Sequence, residues 1–575
     1  MFRKNRKHLQ LPMFGVVNSL PDSQRQLLDD SWAGVFYREF FCRLDEEPFK
    51  VLFSDEPSRP NIPVNRLVGF EVLKAGFGWS DEEMHEAYLF NVQVRYALGL
   101  RDLGDESFDL RTLYYFRQRL SEYMQKTGTN LIDKAFAQVT DQQIAAFHVK
   151  TGRLRMDATF VSSNIRQVSR LHLLVEMLQR VQRMLTETDR QHYTADFAPY
   201  VQGTAGQFMY RLRGQDISPR IEQVGILMAR LVADLAATYG EHTTYTLLER
   251  VFHEHFVLDQ SRVQVKTGRE LNAKTLQSPD DPEATYRNKG GERHLGYVSN
   301  VTETCDPENK VQLIVAMQTE KNVTDDATLL AAVLPSLKER TGVHELTTDG
   351  GYVGEASRQA MADCQVQHVL TSLRGAQPGA VPMGAFVVGH GPDERPTTMT
   401  CPFQQVVPIL AVPSKQGERY RVYFDLQACA ACPQAEHCPA RSLKQAPLRA
   451  LYLSPNDIGA MQQQRAFLLR QKDHGQNLRV AIEGTISALK RPFAEGQLPV
   501  WSLCRVAPMM VAAAAMANVR RIHRYLRALS TQEAQKVEAT DPDAASLSSV
   551  PSIVNQIKCF LGSLFVPQMS FCAHN

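Results

Sequence analysis

The sequence has almost no net charge and no apolar run long enough to cross a bilayer. Its 64 Lys and Arg residues balance 62 Asp and Glu residues, which leaves a formal net charge of +2. Whole-chain charge therefore does not indicate a nucleic-acid partner, and any surface for DNA must be local. The longest apolar stretch, residues 506–517, is too short for a transmembrane helix and predicts a buried one. We expect an ordinary globular protein with no membrane partner.

A secretory leader and regularly spaced cysteines are also missing. Residues 1–20 contain no apolar segment followed by a small-residue cleavage site. The ten cysteines are unevenly spread, and three of them cluster at short spacing. Without a leader, such a cluster favours reduced thiols and metal binding over disulfides, and we expect the protein to be cytoplasmic.

Positive charge is concentrated in two segments. The first is the N-terminal run with Arg3, Lys4, Arg6 and Lys7. In the second, residues 465–527, basic residues far outnumber acidic ones. Its basic residues are Arg465, Arg470, Lys472, Arg479, Lys490, Arg491, Arg505, Arg520, Arg521, Arg524 and Arg527. This local excess suits a phosphate-binding face, although a solvated helix face fits the pattern equally well.

The pattern of apolar residues divides the chain into helical and mixed segments. Residues 1–150 read as helical, with Arg and Tyr between the helices, which suits either a DNA-binding bundle or a plain helical domain. Strand patterns around one helix then predict a mixed α/β sheet with helices packed on it. The strands are predicted at 154–161, 294–303, 311–319, 344–348 and 366–373, and the helix at 326–339. The predicted units are a helical DNA-binding domain (1–150), an α/β core (151–166 with 270–374 and 448–528), a helical insertion (167–269), a Cys-rich insertion (375–447) and a flexible C-terminal tail (529–575).

Two aspartates stand at positions where a strand can present a carboxylate. Asp157 lies inside an apolar strand-like run, where a carboxylate is costly unless it is paired or binds metal. A turn or capping role is the alternative for Asp157. Asp349 ends a predicted strand and precedes two glycines, and active sites of open α/β sheets lie at the carboxyl ends of strands. Asp-Gly is also a common hairpin turn, but the residues after it favour a helix over a returning strand.

Glu483 has a more specific setting. Arg479 lies four residues before it and Lys490 seven residues after it, so all three share one helix face within roughly 60°. A surface ion-pair network would produce the same pattern. The same arrangement of charges also suits phosphoryl transfer. In that reaction a carboxylate holds a metal ion, and cations beside it hold phosphate oxygens. Three carboxylates brought together would hold a hard cation such as Mg²⁺.

The order of these residues resembles the DDE transposases of bacterial insertion sequences. The resemblance rests on Asp157, Asp349 and Arg479-x3-Glu483-x6-Lys490 in succession. Supporting motifs are Met156-Asp157-Ala158-Thr159, Lys289-Gly290-Gly291, His294-Leu295-Gly296-Tyr297, Thr348-Asp349-Gly350-Gly351-Tyr352, Pro63-Val64-Asn65-Arg66-Leu67, Gly78-Trp79-Ser80-Asp81-Glu82 and Arg95-Tyr96-Ala97-Leu98-Gly99-Leu100. The resemblance covers roughly residues 10–525. One departure is Gln476, where the family often has a Tyr three residues before the Arg.

The resemblance implies a fold, a chemistry and partners. The fold would be α/β, with a ribonuclease-H-like mixed-sheet core, an N-terminal helical DNA-binding domain, and helical and Cys-rich insertions. Asp157, Asp349 and Glu483 would be catalytic and would bind two divalent cations, Mg²⁺ or Mn²⁺. Arg479, Lys490 and Arg491 would contact DNA. The protein would cleave the terminal inverted repeats of its element, join them to target DNA, and act as a homodimer or higher oligomer on DNA.

The cysteine cluster indicates a second metal. Cys429, Cys432 and Cys438 lie close together in sequence, and Cys401 lies upstream. Four thiolates would complete a tetrahedral structural zinc site, with His437 as a substitute ligand. Unligated buried cysteines and a redox role are the alternatives.

Two other functions remain open from the sequence. The first is a catalytically inactive, transposase-derived protein that binds DNA sequence-specifically. The complete acidic triad argues against it, because a DNA-binding protein has no use for clustered carboxylates. The second is another ribonuclease-H-like nuclease, such as a resolvase, which the long N-terminal helical region disfavours.

Overall fold

A computed structural model describes most of the chain. The described ranges are residues 2–10, 15–56, 60–104, 106–260, 262–373, 379–393, 395–414, 417–474 and 480–540. Arg479 and Gln476 lie outside these ranges, as do residues 541–575 of the predicted tail.

The N-terminal region is helical. Its helices are α1 (Asp22–Asp30), α2 (Trp32–Phe36), α3 (Val64–Phe77), α4 (Asp81–Phe90), α5 (Val92–Ala97), α6 (Leu110–Thr127) and α7 (Leu131–Ala146). The boundary between α3 and α4 shows how the sequence sets these limits. Gly78 ends α3 in the left-handed conformation (φ 72°), which costs glycine little. Ser80 and Glu83 then exchange hydrogen bonds in a capping box that starts α4.

A helical unit interrupts the chain after the first strand, β1 (Arg153–Val161). It contains α8 (Arg170–Met184), α9 (Glu187–His192), α10 (Thr194–Phe197), α11 (Ala205–Tyr210), α12 (Ile217–Tyr239), α13 (Thr243–His255) and a hairpin of β2 (Phe256–Asp259) and β3 (Arg262–Val265). Its buried apolar side chains form a cluster of their own, separate from the core beneath the main sheet.

Within the described residues, the main sheet has six strands, with β1 in the middle of the strand order. The others are β4 (Thr285–Lys289), β5 (Glu292–Thr304), β6 (Ile314–Lys321), β7 (Glu345–Thr348) and β8 (Gln367–Leu370), with α14 (Asp326–Thr341) and α15 (Glu355–Asp363) between them. The order is β4-β5-β1-β7-β8, with β6 also paired to β5. Strands β1, β7 and β8 are parallel, whereas β5 is antiparallel to β1 and to β6. The mixed α/β fold predicted from the sequence is therefore confirmed, although the sequence analysis did not predict β4.

The Cys-rich segment contains a second sheet, which the sequence analysis did not predict. Its strands are β9 (Val387–His390), β10 (Pro396–Thr400), β11 (Val406–Ser414), β12 (Gly417–Asp425), β13 (Arg441–Ser442) and β14 (Leu448–Leu453), with the short helix α16 (Leu426–Ala430). The order is β13-β14-β12-β11-β10-β9, and all pairs are antiparallel. The sheet includes residues 448–453, which the sequence analysis had assigned to the α/β core.

Three helices complete the fold: α17 (Pro455–His474), α18 (Val480–Lys490) and α19 (Leu503–Thr540). The apolar stretch 506–517 lies in α19 and is almost entirely buried, as its composition predicted. It packs against α3 so closely that a Cβ on Gly76 would lie 2.2 Å from Met516 Cγ. The N-terminal helices, α18 and α19 consequently share one hydrophobic core. Helix α19 continues past residue 528, where the tail was predicted to begin. None of the described helices has the length and apolar character needed to cross a membrane.

His255 makes the stability of the helical unit dependent on pH. It is 2% exposed, and neither ring nitrogen has a hydrogen-bond partner among the described residues. Burial, with Arg170 and Lys266 nearby, lowers the pKa of His255 to about 4. The folded protein favours the neutral ring. The contribution of His255 to the free energy of unfolding is therefore complete above the unfolded pKa of about 6.5 and is lost as pH falls towards 4.

We predict that replacing His255 with Leu weakens the acid sensitivity of the fold. Between about pH 7 and about pH 4.5, the wild type should lose about 2 to 3 kcal/mol of unfolding free energy through this group, and His255→Leu should not. Urea denaturation at the two pH values measures the difference. His253→Gln, an exposed position on the same helix, is the control and should behave as the wild type. Equal acid sensitivity in His255→Leu and the wild type would show that His255 does not titrate as described.

Candidate active site

Asp157 lies in β1, and Asp349 directly follows the neighbouring parallel strand β7. Strands β1 and β7 are parallel, with Arg153 opposite Glu345 and Arg155 opposite Thr347. Continuing this register by two residues sets Asp157 beside Asp349. Neighbouring strands lie about 4.8 Å apart, so a register continued in this way would bring the two carboxylates close together. Nearly two hundred residues of sequence separate them.

Asp349 is held by the turn that follows it. Its Oδ1 accepts a hydrogen bond of 2.8 Å from the Gly351 N–H, and it caps a short 3₁₀ turn, Gly350–Tyr352. The chain then enters α15, so Asp349 does not belong to a hairpin turn. A Cβ on Gly351 would lie 2.9 Å from Asp349 Oδ1 and 2.7 Å from Asp326 Oδ2. A larger residue at this position would therefore force one of the two carboxylates to move.

Asp326 is an acidic residue of the site that the sequence analysis missed. It is the first residue of α14, and its carboxylate converges with that of Asp349 on Gly351. Burial raises the pKa of Asp326; Arg287 and Lys289 lower it, while Asp349 and Asp325 raise it further. Only the Asp325-Asp326 pair before a predicted helix could have drawn attention to it, and that pattern is shared with ordinary helix caps.

Asp157 lies in the part of β1 where the strand becomes partly exposed. Residues 154–156 are buried, whereas Asp157 is half-buried. Its Oδ1 accepts a hydrogen bond of 3.0 Å from the Ala158 N–H. That contact fixes one carboxylate oxygen relative to the strand, so this position presents an oriented acid to the edge that Asp349 shares.

Glu483 lies on α18, which packs against β1. Lys490 at the end of α18 donates to Phe160 O at 2.8 Å and to Thr159 Oγ1 at 3.3 Å. Seven residues correspond to nearly two turns, so Glu483 and Lys490 lie on the same side of the helix. Glu483 is exposed, and burial lowers the pKa of Lys490. Lys490 thus attaches the helix to the strand that carries Asp157, and Arg491 beside it is exposed.

A buried carboxylate, Glu303, joins the elements that carry the acidic residues. Glu303 is fully buried on β5, opposite Arg155 in the β1 register. Its Oε1 is 2.7 Å from Arg155 Nε, and its Oε2 is 2.7 Å from an Arg521 nitrogen on α19. The Thr485 hydroxyl on α18 donates to the same Oε2 at 2.8 Å. Arg155 is two residues before Asp157 and Thr485 two after Glu483, so this network fixes α18 relative to β1.

The four predicted zinc ligands line one cavity of about 310 Å³ in the second sheet. Cys401, Cys429, Cys432 and Cys438 are all partly buried and form no disulfides. Burial raises the pKa of Cys429; Arg449 lowers it, and Cys438, Cys401 and Cys432 raise it further. The Cys429 sulfur is therefore close to the other three. His437, the predicted substitute ligand, is outside this lining.

The elements that carry the candidate ligands lie near one another, but their described side chains do not form a complete set of metal ligands. Across the described part of the chain, no group of three or more His, Cys, Asp or Glu side chains is arranged to hold a metal ion. Ionised carboxylates or thiolates repel one another unless a cation lies between them. Strand register and helix contacts thus bring the elements together without a closed ligand set.

Comparison with known families gives two matches. Residues 26–119 match a family model described as "Transposase domain (DUF772)", and residues 400–523 match one described as "Transposase DDE domain". The first covers α2 to α5 and most of α1 and α6. The second contains Glu483, all four clustered cysteines and the start of α19, whereas Asp157 and Asp349 precede it. No curated protein and no solved structure matched the chain.

We predict that Glu303→Gln strongly destabilises the fold. The substitution leaves the buried Arg155 and the partly buried Arg521 without their carboxylate, which should lower the unfolding free energy by about 3 to 5 kcal/mol. Glu308→Gln is the matched control, because Glu308 pairs with Lys150 on the surface and exposed pairs contribute less than about 1 kcal/mol. Urea denaturation compares the two. Similar effects of both substitutions would mean that the Glu303 network does not hold the core together.

Proposed function

Since this chain is a DDE transposase of the insertion-sequence class, we propose that Asp157, Asp349 and Glu483 are its catalytic carboxylates. Enzymes of this class cleave DNA and transfer strands with the help of divalent metal ions. The observation that carries the assignment is the parallel pairing of β1 with β7, because its register, extended two residues past Arg155 and Thr347, would put Asp157 beside Asp349. The contacts of Thr485 and Lys490 support it, because they hold the helix of Glu483 against β1 and its neighbours.

The chemistry of these residues suits Mg²⁺ or Mn²⁺. Carboxylate oxygens are hard ligands of the kind these ions prefer. Asp326 adds to the negative charge beside Asp349, and part of the increase in its pKa is caused by that neighbour. Such an excess of negative charge favours bound cations. We propose that Asp157, Asp349 and Glu483 hold two of them, which when bound activate the attacking oxygen and stabilise the leaving one.

The protein's own residues would orient the acids during the reaction. The Ala158 and Gly351 N–H groups each fix one oxygen of Asp157 and Asp349. We expect water to attack first at the transposon end, which breaks the bond between phosphorus and the 3′ oxygen and releases a 3′-hydroxyl. That hydroxyl would then attack a phosphate of target DNA and displace a second 3′-hydroxyl. No covalent bond to the protein is needed in either step.

We propose that α6 contributes to recognition of the terminal inverted repeat. One face of α6 is buried through Leu113, Phe116 and Leu120. The opposite face exposes Arg111, Tyr114, Tyr115 and Arg119, which offer cations and aromatic edges to DNA. Arg117 is excluded from this role, because it forms ion pairs with Glu71 and Asp81.

Phosphate contacts, assembly and location complete the proposal. Arg491 is exposed beside Lys490, and we propose that both, together with Arg479, contact DNA near the acidic residues. We further propose that the protein acts in the cytoplasm as a homodimer or higher oligomer on paired transposon ends. No observation favours the catalytically inactive alternative.

Zinc binding at the cysteine cluster is a separate proposal. The cavity that Cys401, Cys429, Cys432 and Cys438 share, and the closeness of Cys429 to the other three, support one structural Zn²⁺ held by four thiolates. The site would stabilise the second sheet, which precedes α17 and the Glu483 helix. Catalysis would not involve this metal.

We predict that Glu483→Gln abolishes cleavage and preserves binding. The substrate is a duplex that carries the element's own terminal repeat, with Mg²⁺ or Mn²⁺. Loss of a direct metal ligand should reduce the cleavage rate by more than about 100-fold, because even outer-shell partners cost 10- to 100-fold. Glu495→Gln, an exposed residue later in the chain, should cleave as the wild type does. Wild-type cleavage rates in Glu483→Gln would disprove its role, and specific binding without cleavage by the wild type would favour the inactive alternative.

We predict that purified wild-type protein contains one zinc ion per chain and that Cys429→Ser with Cys432→Ser removes it. Elemental analysis measures the zinc, and a chelator should lower the thermal midpoint of the wild type only. Cys364→Ser, a partly buried cysteine outside the cavity, should retain the ion. Wild-type protein without zinc, or zinc retained in the double variant, would refute the site.

A further inference from the structure

A hairpin of β4 and the first part of β5 extends beyond the main sheet at the active-site edge. Thr285 pairs with Gly296 and Lys289 with Glu292, and Gly290 and Gly291 form the turn. Val161, the last residue of β1, lies opposite Tyr297. Because β5 runs antiparallel to β1, residues 285–296 project past the carboxyl end of β1. Asp349 follows the carboxyl end of the parallel strand β7, so this segment, the basic hairpin, overhangs the same edge.

The tip of the basic hairpin is uncovered and carries two cations and one acid. Lys289, Gly290, Gly291, Glu292 and Arg293 are exposed, which leaves one positive charge in excess. The two glycines have φ values of +64° and +89°, as a tight two-residue turn requires. A Cβ added to either would meet no described atom within 4 Å. A large ligand can therefore approach the backbone of the turn closely.

The base of the basic hairpin is fixed to β1. The His294 ring stacks on Phe160 with centroids 4.3 Å apart and an interplanar angle of 20°. Arg287 and Lys289 also lie over the Phe160 ring, at 5.4 and 5.6 Å. Arg287 donates to the carbonyl oxygens of Asn322 and Thr324, both at 3.2 Å. The cations are thus held in place beside the strand that carries Asp157.

Electrostatic effects connect the basic hairpin to the acidic residues. Arg287 and Lys289 lower the pKa of Asp326, whose carboxylate approaches that of Asp349. Burial lowers the pKa of His294; Glu292 opposes this, and Lys490, Lys289 and Arg287 contribute to it. The hairpin cations and Lys490 thus form one positive group beside the carboxylates. A polyanion could bind along this positive group up to the acidic residues, because the cations offset the repulsion by the carboxylates.

We propose that the basic hairpin is a clamp for the phosphate backbone of the DNA strand that is cleaved. The proposal rests on the function proposed above. It adds a DNA-contacting surface from a part of the sequence that lies between the two family matches. Lys289 and Arg293 would contact phosphates on either side of the turn, while the turn backbone would approach the strand closely. These contacts position DNA and do not read its sequence, because lysine, arginine and turn amides contact phosphates of any sequence.

The test is the salt dependence of DNA binding by the full chain. The double variant Lys289→Glu with Arg293→Glu is compared with the wild type on the terminal-repeat duplex, without divalent cations. Each lost phosphate contact should make the plot of log affinity against log salt shallower by about 0.9. The control is Lys310→Glu, an exposed lysine in the turn at the opposite end of β5, which should keep the wild-type slope. Both changed residues of the hairpin are exposed, and an unchanged thermal midpoint verifies folding.

The outcomes separate this proposal from the catalytic one. A shallower slope and slower cleavage in the double variant, with neither in Lys310→Glu, would support the clamp. A wild-type slope and cleavage rate in the double variant would overturn it, whatever Glu483→Gln does. The third outcome is a shallower slope in the double variant than in the wild type, with no cleavage by the wild type. It would support the clamp and overturn the catalytic assignment.

Discussion

The placement of the acidic residues depends on one buried carboxylate. Glu303 accepts contacts from Arg155 on β1, Thr485 on α18 and Arg521 on α19. A buried charge is tolerated only when its partners are in place, so these elements form together or not at all. Strand β1 also bears Asp157, and α18 bears Glu483. The ion pair therefore links correct folding of the sheet and the C-terminal helices to the presence of the site.

Opposite charges meet at the carboxyl edge of the sheet. Asp157, Asp349 and Asp326 form the acidic side, and Arg287, Lys289 and Lys490 form the basic side. Metal ions suit the first group and phosphates suit the second, so both components of a phosphoryl-transfer reaction have binding groups within one region. This separation of charge is local, and the whole chain has almost no net charge.

Much of this arrangement could be predicted from sequence, and the limits have physical causes. Strands β1, β5 and β7 and helix α14 follow from apolar periodicity and turn residues, which are local signals. The proximity proposed for Asp157 and Asp349 depends on strand order and register, which no local pattern contains. Glu303 and Asp326 were missed for the same reason, since their partners are distant in sequence. The second sheet was missed because many of its strand residues are exposed and its segment is rich in Pro, Gly and Cys.

The central claim is that Asp157, Asp349 and Glu483 bind cations together at one site. A crystal structure of the full chain grown with Mn²⁺ tests this most directly, because manganese gives an anomalous signal that locates each ion. The account predicts anomalous peaks between β1, the end of β7 and α18, with oxygen ligands from all three residues. Manganese bound elsewhere, or bound at this edge without Glu483, would contradict it.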